Sequence, residues 1–211
     1  FVVRGDGAYD LRWFTPSVEV DLCGHATLGT SYVVSRFVSP GAERMTFNTR
    51  SGLLQVERRG DLFVMDFPSR MPAAVEAPGA LSAALALGRG VAPVEVHASR
   101  DLLVLLESEA QVRALSPDYG AMAQIPDYLG VIVTAPADSP GVDFVSRFFA
   151  PRAGVNEDPV TGSSHTELIP FWARRAGRQK LLAHQVSRRG GVLWCENLGP
   201  RVAIGGKAVL Y

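Results

Sequence analysis

The sequence predicts an α+β fold of two pseudo-symmetric halves that face each other across a cleft. Two observations predict it. The chain echoes itself at a nearly constant offset, and each copy runs from a strand pattern through a glycine turn into a stretch of helical length. Arg12-Trp13-Phe14-Thr15-Pro16 is answered by Arg147-Phe148-Phe149-Ala150-Pro151. Thr49-Arg50-Ser51-Gly52-Leu53-Leu54 is answered by Ser187-Arg188-Arg189-Gly190-Gly191-Val192-Leu193. Between these marks, Asp21-Leu22-Cys23-Gly24-His25 and Asp158-Pro159-Val160-Thr161-Gly162-Ser163 hold equivalent places. A cleft between two such copies is a natural ligand site.

The elements follow in order. Period-2 alternation with aromatic and β-branched residues predicts strands over 11–15 and 62–67. Residues 26–38 are apolar or small nearly all round and read as a buried helix, which Pro40-Gly41 stops. The stretch 68–78, rich in Pro and Ala, reads as a linker. It divides the chain into an N-terminal half, 1–75, with its central helix near 25–38, and a C-terminal half, 76–211, with its central helix near 163–176. Short surface helices are expected at 78–87 and 108–115. The continuous apolar run 102–106 reads as a buried strand, and further strands are expected at 143–149, 181–186, 192–196 and 201–204. In the second central helix Arg174 and Arg175 suit the negative C-terminal end, and Gly177 suits the C′ position. Pro170 is expected to kink or shorten that helix.

Composition bounds the function. Of 211 residues 47% are hydrophobic and 20% charged, so a chain of this size can bury roughly 70% of its surface in a full core. Lys+Arg and Asp+Glu are both 21, which argues against nucleic acid as a partner. No apolar run reaches the roughly 18 residues of a membrane span. Two cysteines make neither a disulfide framework nor a metal cluster, and no His-x-x-x-His or Cys-x-x-Cys pattern occurs, so no metal is expected and a reduced, cytoplasmic setting is. The chain opens on Phe1-Val2-Val3, which reads as the middle of a strand.

The two helix starts carry the chemistry. Helices opening at Gly24-His25 and at Thr161-Gly162-Ser163 present backbone N–H groups without intrahelical partners, and glycine lets a ligand approach them. Both starts facing one cleft would attract a carboxylate or a phosphate. Thr161 is a good N-cap residue. His25, beside Asp21, has an acidic partner and is a candidate for catalysis or ligand contact. Asp158 is a candidate for substrate hydrogen bonding or acid–base support, the competing role being a turn carboxylate. Alternation along a strand lets only one of Glu157 and Asp158 face the cleft. His97, His165 and His184 are expected to be structural or on the surface. Cys23 is expected to pack as a small buried residue.

Asp21-Leu22-Cys23-Gly24-His25-Ala26-Thr27 and Glu157-Asp158-Pro159-Val160-Thr161-Gly162-Ser163 together resemble the PhzF-like isomerase family. The resemblance extends through Arg147-Phe148-Phe149-Ala150-Pro151 and Gln185-Val186-Ser187-Arg188-Arg189-Gly190-Gly191 and covers essentially the whole chain. It implies a diaminopimelate-epimerase-like fold, each half a curled, mostly antiparallel sheet around a central helix, with the first half truncated at its N-terminus. It implies a cofactor-independent isomerase of a small carboxylic acid. His25 and Asp158 would assist proton transfer, and Gly24, Gly162 and Ser163 would lie at the substrate. The family's proton-carrying glutamate would precede Phe1. An alternative is a ligand-binding or interaction protein of the same fold without catalysis. A homodimer is a further expectation. The fold's two-thiol epimerase branch is disfavoured, because Thr161 stands where the second cysteine would be. A hydrolase built on Ser163 is disfavoured because no Gly-x-Ser-x-Gly elbow surrounds it.

Overall fold

The computed structural model describes residues 1–14, 19–20 and 22–210. Thr15, Pro16 and Asp21, used above, lie outside the described residues. The first part of the chain gives β1 (Val2–Arg4), β2 (Tyr9–Leu11), β3 (Trp13–Phe14), β4 (Glu19–Val20), α1 (Gly24–Val33), β5 (Arg44–Thr49), β6 (Gly52–Arg59) and β7 (Leu62–Pro68). Then come β8 (Ala73–Ala74), α2 (Leu81–Ala84), β9 (Glu95–Ala98), β10 (Leu102–Leu105), α3 (Glu109–Ala114), α4 (Tyr119–Met122) and β11 (Val131–Pro136). The chain continues with β12 (Phe144–Ala150), β13 (Val155–Asp158), α5 (Gly162–Ala176), β14 (Lys180–Gln185), β15 (Gly191–Asn197) and β16 (Arg201–Gly206).

Among the described residues one 14-stranded sheet runs β1-β2-β5-β6-β7-β16-β15-β14-β12-β11-β10-β9-β8, with β13 paired to β12, and β3 and β4 form a separate ribbon. The fold is mixed α+β, as predicted. Two runs of elements share one grammar. In the first, β2 lies parallel to β5, β3 and β4 form an antiparallel pair, α1 follows, and β5, β6 and β7 are an antiparallel meander. In the second, β12 lies parallel to β14 and antiparallel to β13, α5 follows, and β14, β15 and β16 are again an antiparallel meander. The two meanders join edge to edge, with Phe63 to Pro68 opposite Gly206 to Arg201.

Both central helices form, with different surfaces. The run Leu168 to Ala173 is wholly buried, as are the residues from Gly162 onward. Pro170 neither ends nor shortens α5. It removes one N–H, and the Thr166 carbonyl it leaves unserved accepts the Arg70 N–H at 2.9 Å. Gly177 closes the helix at φ 65°, the left-handed conformation expected of a C-terminal glycine. The first helix is shorter than expected: α1 ends at Val33 and a π turn carries the chain to Val38. It is buried on one face only, and that face is small and polar. Thr27 and Ser31 are both 0% exposed, and each hydroxyl donates to the carbonyl four residues back. Hydrophobicity that looked continuous in sequence is split, with Val33, Phe37 and Val38 on the outside.

One core joins residues from Leu11 to Ile204 around the two helices, and a second lies under α2, α3 and α4 against the outer face of β10, β11 and β12. The 68–78 stretch is not wholly irregular, since Ala73–Ala74 adds an edge strand to β9. No described helix is long and apolar enough to cross a membrane.

Candidate functional site

The two helix starts meet. A Cβ on Gly24 would stand 2.8 Å from the Gly162 Cα, and one on Gly162 would stand 2.9 Å from the Gly24 Cα. Only glycine permits that backbone approach. It brings Cys23 and His25 at the start of α1 beside Val160, Thr161 and Ser163 at the start of α5.

A cavity of about 730 Å³ opens at this junction and is lined by His25, Asp158 and Ser163, with Cys23, Arg70 and Arg100. A second cavity, of about 600 Å³, lies on the other side of the junction and shares His25, with Gly162 on its wall. The structure therefore gathers His25, Asp158 and Ser163 on one cavity. It places Gly24 underneath as a buried contact and Gly162 between the two cavities.

The His25 side chain is 54% exposed, and its Nδ1 lies 3.2 Å from the Val160 carbonyl oxygen and 4.0 Å from Asp158 Oδ1. Cys23 Sγ is 3.5 Å from Nε2. Contact with Cys23 first, then the charge of Asp158 and the Val160 carbonyl, raise His25 to about 9 against the opposing effect of burial. At neutral pH the ring is an imidazolium, able to donate a proton or stabilise negative charge. Cys23 packs against the core as expected, but it is only half-buried and also lines the cavity. Its position just before the helix directs the thiol toward the ring two residues on.

Asp158 is held in its turn. Its Oδ2 accepts the Thr161 hydroxyl at 2.6 Å. Burial pushes its carboxyl up, opposed by that hydrogen bond and by His25. Thr161 was expected to cap α5 with its side chain, but its hydroxyl is committed to Asp158 and caps nothing. The alternation argument holds at its neighbour: Glu157 points away and takes both Nε and Nη2 of Arg147, at 2.7 and 2.9 Å.

Two further polar residues at the site are not singled out by local pattern, although Gln185 opens one of the segments that carry the family resemblance. Gln185 is 1% exposed. Its Oε1 accepts the Thr161 N–H at 2.8 Å, and its Nε2 donates to the Asp158 carbonyl and to Thr161 Oγ1. That side chain fixes the whole 158–161 turn. Arg100 donates from Nη2 to Ser163 Oγ at 3.0 Å. The other histidines stay apart from the cavity lining. His165 is fully buried, with Nδ1 2.7 Å from the Thr161 carbonyl, and burial lowers it to about 4.

The profile of the PhzC-PhzF family, phenazine biosynthesis-like proteins, matches residues 1–211. The chain belongs to this family. It is 53% identical over 211 residues to an uncharacterized isomerase of Pseudomonas aeruginosa, covering 100% of this chain and 78% of that protein. It is 36% identical to the phenazine biosynthesis-like domain-containing protein 2 of Mus musculus, covering 96% and 75%. Among solved structures, a PhzF family protein of Enterococcus faecalis superposes with a TM-score of 0.93 at 44% identity, covering all of this chain and 79% of that one. A hydroxyproline epimerase of Agrobacterium vitis shares the fold at a TM-score of 0.61 and 11% identity, covering 100% and 71%. The curled-sheet fold implied by the resemblance is thus the fold of this PhzF-like chain.

Proposed function

We propose that this PhzF-like protein is an isomerase that moves a proton on a small carboxylic acid, using side chains alone, in the cleft between two similar halves. The observation that carries it is the meeting of His25 and Asp158 at 4.0 Å on one cavity, His25 from the first turn of α1 and Asp158 from the end of β13, in the turn that leads into α5. His25, as imidazolium, stabilises the anion that forms when a proton leaves carbon, or returns a proton to it. Asp158 orients the ring and accepts hydrogen bonds from the substrate. Ser163 and the N–H groups at the starts of α1 and α5 hold the substrate carboxylate. The proton-carrying glutamate is the family residue expected upstream of Phe1.

The same reading treats the halves, 1–75 and 76–211, as a duplication. Its support is the shared order of strands and helix, and a repeated ion pair. Arg12 Nη2 reaches Glu19 at 2.7 Å across β3 and β4, as Arg147 reaches Glu157 across β12 and β13. A cytoplasmic setting and a homodimer belong to this reading. Light scattering tests the dimer.

The deciding experiment incubates the full-length protein with a panel of small aryl and dienyl carboxylates in deuterated water. NMR should detect deuterium entering one carbon of a turned-over acid, and His25→Ala should abolish most of it. Acids that bind without exchange or rearrangement would establish the non-catalytic, ligand-binding alternative instead.

A further inference from the structure

One wall of the cavity carries charges that proton transfer at His25 does not use. Arg100 donates from Nε to Asp101 Oδ2 at 3.1 Å and from Nη2 to Ser163 Oγ at 3.0 Å. Asp101 and Glu167 are both fully buried, and Glu167 Oε1 accepts the Asp101 N–H at 3.2 Å. Arg70 arrives from the segment after β7, docked through its N–H on the Thr166 carbonyl that Pro170 leaves free. Its Nη1 is buried and has no hydrogen-bond partner among the described residues. Arg70 and Arg100 both line the cavity.

Burial, and then the charge of Asp101, push the Glu167 carboxyl above its usual range, while Arg100 and Arg70 pull it the other way. Arg100 is paired with Asp101, whereas Arg70 Nη1 has no hydrogen-bond partner among the described residues, and a guanidinium cannot shed its charge. A buried donor without an acceptor is costly to keep, and an anionic oxygen in the cavity would satisfy it. Ser163, accepting from Arg100, keeps its hydroxyl proton to donate in the same direction.

We propose that Arg70, with Ser163 and Arg100, forms a second anion subsite, and that the cavity takes a small dicarboxylate. The proposal rests on the small-acid reading above: one carboxylate lies at the helix starts beside His25, and the other meets the arginine wall. A planar guanidinium matches a carboxylate with two parallel hydrogen bonds.

Calorimetry on the full-length protein with benzoate, phthalate and isophthalate tests it. Benzoate should bind, and the better of the two dicarboxylates should bind about tenfold tighter, the gain expected of one charge-assisted hydrogen-bonded contact. Arg70→Ala should erase that gain and leave benzoate affinity unchanged. Arg70 Nη1 hydrogen-bonds no carboxylate among the described residues, whereas Arg100→Ala would leave Asp101 buried without its hydrogen-bonded counter-charge. Arg100→Lys, which keeps the charge but not the fork, should reduce the gain. Benzoate binding without any gain for either dicarboxylate overturns the second subsite and leaves the small-acid reading standing. A gain that survives Arg70→Ala also overturns it. Failure of all three acids to bind overturns both.

Discussion

His25 is poised by its contacts more than by its exposure. Because contact with Cys23 is the largest influence raising it, Cys23→Ser should lower its pKa measurably toward 6.5, read by NMR titration of the ring, while the fold stays intact. An unchanged titration would show that the thiol contact does not act on the ring. His25→Ala should lower turnover by about 10²- to 10⁴-fold, the usual contribution of an acid–base partner, and Cys23→Ser should change turnover at pH 7 far less. The reverse ranking would mean thiol chemistry of the epimerase kind. A pKa raised to about 9 also carries a stability consequence. The folded state holds the proton more tightly, so this contribution is complete below pH 6.5 and is lost as pH rises through 9. His25 and Asp158 were legible because each sits in a contiguous motif beside a glycine turn. Arg100 was not: the contact that gives it a role spans 63 positions to Ser163, and an arginine beside an aspartate reads as any solvated pair.

At the scale of elements, the two helices were legible as periodic stretches, but their surroundings were not. The first helix reads as buried nearly all round, yet it is α5 that is buried through most of its length, while α1 hides only a seam of small residues. What decides this is which strands wrap each helix, a long-range property absent from local pattern. The seam makes a sharp prediction. Gly24→Ala pushes a methyl against the Gly162 backbone and should cost about 1–3 kcal/mol in urea unfolding, as overpacking does. Gly29→Ala, in the same helix with nothing within 4 Å, should instead stabilise by about 0.5–1 kcal/mol. Equal effects would mean that the helix starts do not touch. In α5, His165 is buried neutral and lowered to about 4. The unfolded chain binds its proton first, so stability should fall as pH drops from 6.5 toward 4. His165→Asn, which can keep a donor toward the Thr161 carbonyl, should flatten the fall in melting temperature over that range, even if it starts lower.

At the scale of the whole molecule, the repeated strand–turn–helix order behind the proposed duplication was readable from three spaced landmarks, while the pairing of the two runs was not. Nothing in residues 62–68 or 201–206 names the other as partner, since the first alternates like any half-buried strand and the second is a short apolar run. The shared core that results, drawing on Trp13 near one end and Trp172 near the other, predicts that the two halves unfold together. Fluorine NMR of 5-fluorotryptophan-labelled protein in urea should give one midpoint for Trp13 and Trp172. Two midpoints would mean halves that are stable separately.

The seam between β7 and β16 has a kinetic side. Asp66 and Arg201 meet across it from positions 135 apart, so its hydrogen bonds cannot begin to form on the ribosome until the last of these strands has emerged. Until then the edge of β7, with Phe63, Met65 and Phe67 destined for the core, has no native neighbour on that side. Long-range pairing of this kind is slow, and an unpaired apolar edge recruits whatever strand is near. Stop codons placed before residue 201 should therefore yield chains that sediment with aggregates, and the yield of active protein should depend on chaperone supply more steeply than its equilibrium stability would suggest.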